Sequence, residues 1–110
     1  MIRDIVEEHL DEAAYLYTRR QAAQRRVDAT AEDVAELGRR LRAHLDGLLV
    51  GGAMAWELTQ PALSQSNEAQ AFVAGILAME GGQPAWLEDL VAALIAPKPE
   101  AFEGLRWGGA

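Results

Sequence analysis

Residues 51–56 read Gly51-Gly52-Ala53-Met54-Ala55-Trp56, and residues 81–86 read Gly81-Gly82-Gln83-Pro84-Ala85-Trp86. The two stretches share a glycine pair and an Ala-Trp in register, thirty positions apart. The echo continues with Ala62 and Ala92, and with Ala71-Phe72 and Ala101-Phe102. Each unit is a glycine break, a helix with a tryptophan near its start, a turn, and a helix carrying a phenylalanine. A lone helix pair cannot hide its apolar face, so such pairs stack on one another, as in helical solenoids. Tryptophan and phenylalanine would then plug the space between neighbouring helices.

Upstream of the first glycine pair the pattern is also helical but longer. Ile2, Ile5, Val6, Ala13, Leu16 and Tyr17 fall on one stripe of a helix over 2–26, with His9 in its middle. Asp4, Glu7, Glu8 and Asp11 suit the positive end of its dipole, and the arginines toward residue 26 suit the negative end. Thr30, with Asp33 three residues on, forms a capping signal for a second helix over 31–49. Its stripe is Val34, Leu37, Leu41, Leu45 and Leu48, and Glu36 and Arg40 form an i,i+4 pair on the solvent face. The short connection makes these two helices an antiparallel hairpin.

Beyond Gly52 four shorter helices are expected over 53–64, 67–80, 84–95 and 99–106. Pro61 kinks or ends the first, Ser66 caps the second, and Pro84 opens the third, where its missing N–H costs nothing. Phe72, Val73, Ile76 and Met79 make one packing stripe; Leu87, Leu90, Val91 and Leu94 make another. Valine and isoleucine nowhere alternate as in a strand. The expectation is an all-α chain: one domain over 1–110, with a long hairpin over 1–50 and two short HEAT-like helix pairs over 51–110, arranged as an α-solenoid-like stack or an irregular bundle.

Glu7-Glu8-His9, Glu12-Ala13-Ala14-Tyr15-Leu16, Ala43-His44-Leu45-Asp46-Gly47-Leu48, Gly52 and Trp56-Glu57-Leu58 together resemble the N-terminal region of an uncharacterised proteobacterial family with HEAT-like helical repeats. The resemblance covers most of the chain. It implies genes near type VI secretion components, longer repeat arrays in other members, and no catalytic residues to carry over.

Composition narrows the function classes. A net charge of −7 argues against binding nucleic acid, whose phosphates attract basic patches. With no cysteine, disulfides, thiolate metal sites and cysteine nucleophiles are excluded. The start of the chain lacks the apolar core of a signal peptide, and no apolar run reaches the roughly 20 residues that span a bilayer. The expected setting is cytoplasmic, with no membrane and no cofactor.

The leading functional reading is a protein–protein interaction module or scaffold, possessing an open end that binds another protein or a second copy of the chain. Phe102, Leu105 and Trp107, beside the uncovered end, and Tyr15, opposite the first apolar stripe, are the contact candidates. The second reading is a small metal-dependent or acid–base enzyme built on His9, His44 and nearby carboxylates, Glu12 foremost. Two histidines and an acid on facing helices are the ingredients of a bundle metal site, although the Glu-x-x-His spacing of the di-iron bundles is absent. The acid pairs Glu7-Glu8, Asp11-Glu12, Glu32-Asp33 and Glu88-Asp89 read as solvated helix surface, because catalytic use needs burial. No nucleophile elbow and no phosphate-binding glycine loop occurs.

Overall fold

The structure, a computed structural model, describes residues 2–65 and 67–96. Among them lie five α-helices, one 3₁₀ turn and no strand. Helices α1 (Arg3–Arg25) and α2 (Ala31–Gly51) form the long hairpin. Helix α3 (Ala53–Thr59) runs into the 3₁₀ turn Gln60–Ser64; α4 (Glu68–Glu80) and α5 (Pro84–Ile95) follow. The segment over 99–106, and with it Ala101-Phe102 of the second unit, lies outside the described residues.

Helix starts and stops follow local chemistry. The Thr30 hydroxyl accepts from the Asp33 amide at 3.1 Å, and the Asp33 carboxylate accepts from the Thr30 amide at 3.2 Å, so the capping box is complete. In the preceding loop Arg26 donates to both oxygens of Asp28, at 3.1 and 3.2 Å. Pro61 has no amide to continue the α-helical ladder, and α3 gives way to the 3₁₀ turn just before it. Helix α4 is capped by Asn67, whose side chain accepts from the Gln70 amide at 3.0 Å; Ser66, the cap expected from the sequence, lies outside the described residues. Gly52 and Gly82 both take positive φ, +57° and +75°, which only glycine adopts without strain, and each ends one helical run before the next begins.

The hairpin closes on a seam of small and branched side chains. Val6, Leu10, Ala13, Leu16 and Ala23 on α1 are buried together with Leu37, Leu41, Leu45 and Leu48 on α2. Each fully buried leucine or valine contributes about 1.5–3 kcal/mol relative to an exposed one. Two details differ from the sequence reading. Ile2 and Ile5 are exposed, and Leu10 takes the core position instead. Ile5 precedes the buried Val6 by one residue, about 100° of helical rotation, and that turns it off the seam. On the outer face of α2, Glu36 pairs with Arg39 at 2.8 Å, not with Arg40, and Arg39 also reaches Glu32 at 3.0 Å.

Helices α3 and α4 pack across the hairpin. Ala55, Trp56, Ala62, Leu63, Val73, Ala74, Leu77 and Ala78 are buried there. Thr59 is buried too, and its hydroxyl donates to the Ala55 carbonyl at 2.9 Å. Tyr17 of α1 stacks on Phe72 of α4 with ring centroids 4.4 Å apart, and its hydroxyl donates to Glu68 at 2.8 Å. Met79, expected in the α4 stripe, is exposed; Leu77 and Ala78 pack inward in its place. Helix α5 lies on α4 and the 3₁₀ turn. Its anchor is Trp86, which stacks on Trp56 at 5.1 Å and 14° between planes, so the tryptophans of the two echoing stretches touch each other.

Two glycines of α4 and its C-cap are expected to respond to alanine with opposite signs. A Cβ on Gly81 would run into the Trp86 ring and lie 2.6 Å from the Leu77 carbonyl oxygen, whereas one on Gly75 meets only Leu90, at 4.0 Å. Urea denaturation should show Gly81→Ala less stable by about 1–3 kcal/mol and Gly75→Ala more stable by about 0.5–1 kcal/mol.

Candidate functional site

His9 stands in the second turn of α1 and His44 near the end of α2. Because the helices are antiparallel, both fall at the open end of the hairpin. Their Nδ1 atoms are 3.0 Å apart, and the ring planes are inclined by 56°. An imidazole nitrogen either carries an N–H or offers a lone pair, so across this contact one Nδ1 donates to the other. Gly47, one turn beyond His44, makes room for the His9 ring: a Cβ there would sit 2.7 Å from Nε2 and 2.9 Å from Cδ2 and Cε1. The glycine in His44-Leu45-Asp46-Gly47 is the sequence signal for this contact. Glu12, one turn from His9, does not complete a larger site: among the described residues no group of three or more histidines and carboxylates could hold a metal ion.

A charged cluster lies nearby on α2. Arg42 donates to Asp46 at 2.7 Å and grips both carboxylate oxygens of Glu80, at 2.8 and 2.9 Å. Glu80 ends α4, where the helix dipole disfavours an acid, and the guanidinium offsets that cost. The hydrogen bonds from Arg42 hold the Glu80 carboxyl below the usual carboxylate range. The bonds that Arg42 donates to Glu80 and then to Asp46 push its own guanidinium up in turn. All three side chains remain well exposed, which makes this a clip between α2 and α4 rather than a reaction centre.

Tyr15 is 54% exposed. Its surface is partly covered by the chain itself: Arg19 lies over the ring, 5.7 Å from the centroid, and donates to the hydroxyl at 3.3 Å. Phe102, Leu105 and Trp107 lie outside the described residues. Glu7, Glu8, Asp11, Glu32, Asp33, Glu88 and Asp89 are exposed, as expected of solvated helix faces.

The larger unassigned feature is α5. Trp86, Leu90 and Ala93 pack against the core, but no residue of the helix is fully buried. Leu87, Val91, Leu94 and Ile95 face away, with Leu94 73% and Ile95 81% exposed. Of the packing stripe read from the sequence, only Leu90 packs on the core. Leu87, Val91, Ala92 and Ile95, with Glu88 beside them, line a shallow groove of about 410 Å³. The signal was present in the sequence, since α5 carries more apolar residues than one helical face can hold. No helix among the described residues is long and apolar enough to cross a membrane.

The sign of the pH response at Glu80 follows from its lowered pKa. Its ion pair stabilises the fold above the unfolded-state value, about 4.3, and that contribution is lost as the pH falls through the lower folded value. Glu80→Gln should therefore reduce stability by at most about 1 kcal/mol at neutral pH, and thermal melts of variant and parent should converge near pH 2. No family model, no curated protein and no solved structure matches this chain.

Proposed function

We propose that the chain is a protein–protein interaction module whose outer α5 face receives an amphipathic helix of another protein, one with basic residues beside its apolar stripe. The observation that carries this reading is the exposure of Leu87, Val91, Leu94 and Ile95 along one side of a helix whose other side is already packed. Apolar positions at i, i+4, i+7 and i+8 are the pattern by which a helix lays its face against a second helix. Contiguous apolar surface of this kind marks interaction sites.

Charge selects the partner. Helix α5 contains Glu88 and Asp89 and no basic residue, and the whole chain carries −7. A second copy of α5 would set these acids against their like, whereas lysine or arginine flanking an apolar stripe would complement them. The stacked helix-pair architecture is part of the same proposal. It is supported by the thirty-residue echo, by positive φ at both Gly52 and Gly82, and by the Trp56–Trp86 stack. An accessory role in secretion rests on the family resemblance alone.

The test uses two labelled model helices with identical leucine stripes, one flanked by lysine and arginine and one by glutamate. In fluorescence anisotropy the basic helix should bind, more weakly as salt rises, and the acidic helix should not. Val91→Asp with Leu94→Glu should weaken binding at least about tenfold, or about 1.4 kcal/mol, while leaving the melting temperature nearly unchanged. Equal binding of both helices overturns the choice of partner. Sedimentation showing a dimer that the same substitutions dissolve would assign the face to a second copy instead.

A further inference from the structure

We propose that the facing Nδ1 atoms of His9 and His44 form a two-imidazole chelate for a divalent transition-metal ion of the copper(II) or nickel(II) class. The site is independent of the α5 face and is not the three-ligand centre that would have included Glu12. The remaining coordination positions belong to water.

The separation of the nitrogens selects the metal. Metal–imidazole bonds run to about 2.0–2.1 Å. An ion bonded at that length to two nitrogens 3.0 Å apart sees them at close to a right angle. That is the cis angle of tetragonal and octahedral ions, and it is tighter than a tetrahedral zinc site prefers. Copper(II) and nickel(II) favour tetragonal nitrogen and oxygen donors, and copper(II) heads the affinity order of the divalent series.

The donor chemistry balances without a change in net charge. In the resting pair one Nδ1 carries the proton that the other accepts. Moving that proton to the same ring's Nε2 frees both Nδ1 lone pairs, and the metal ion binds both nitrogens from one side of the line that joins them. Both rings remain neutral, the form that ligates metal.

The rings are held for this. Each projects from a long helix beside a buried leucine, Leu10 after His9 and Leu45 after His44, so the seam that closes the hairpin also sets the distance between them. The gap at Gly47 accepts the His9 ring, and any side chain there would displace it. Both rings are only partly buried, which leaves a side open to water and entering ions. The chain's negative charge favours the approach of cations.

The experiment titrates the full chain with copper(II) and follows calorimetry and electron paramagnetic resonance. The expected result is one ion per chain with hyperfine structure from two nitrogens, nickel(II) binding more weakly. Gly47→Ala keeps both imidazoles but moves one, and should weaken binding about tenfold or more, a loss on the scale reported for groups that orient ligands. His44→Gln should do the same, and should carry the test if circular dichroism shows that Gly47→Ala does not fold. Binding unchanged in either folded variant overturns the proposal. So does a parent chain that binds copper(II) no more tightly than the double variant His9→Gln with His44→Gln.

Discussion

The seam between α1 and α2 is the constraint on which the other elements depend. Leu16 and Leu48 are wholly buried in it, and Val6 and Ala13 with them. Two helices of more than twenty residues cannot remain side by side in water on propensity alone; the apolar faces must be shared. Once they are, the hairpin presents a ready surface, and α3 and α4 settle across it through Trp56, Val73, Ala74 and Leu77. The alanines matter as much as the leucines. Ala13 and Ala23 on α1, with Ala74 and Ala78 on α4, let backbones approach where larger side chains would hold them apart.

The same seam brings distant chemistry together. His9 and His44 are 35 residues apart in the chain, and their rings meet because the register of the hairpin opposes their turns. Arg42 reaches Glu80 across 38 residues for a related reason, since α4 lies on α2 near its end. Tyr17 and Phe72 join α1 to α4 on the opposite flank. Each of these contacts is geometry set by burial elsewhere.

How much of this could be read beforehand varies with the element. The leucines of α2 recur at unbroken helical spacing, so its inward face was legible, as were its cap at Thr30 and the antiparallel hairpin. The face of α1 was set slightly wrong, because Ile2 and Ile5 are as apolar as the residues that do pack, and only the rotation of the helix against its partner separates them. The histidine contact was legible as a shared end of the hairpin but not as a contact. Its register depends on the Arg26–Thr30 loop, where the Arg26–Asp28 pair leaves no pattern in hydrophobic spacing. For α5 the composition showed excess apolar surface, yet periodicity cannot say which of two greasy sides is covered. Trp86 decides it by stacking on Trp56.

That tryptophan stack has a further consequence for how the molecule breathes. Helix α5 has no fully buried side chain and is preceded by Gly81-Gly82. Elements held by few apolar contacts open at a fraction of the free energy of global unfolding, as separate cooperative units. The amides of α5 should therefore exchange with solvent through excursions of that helix alone, and those of Leu16 and Leu48 only when the hairpin itself parts. A chain built this way should show two tiers of protection, a slow foundation and a fast outer leaf.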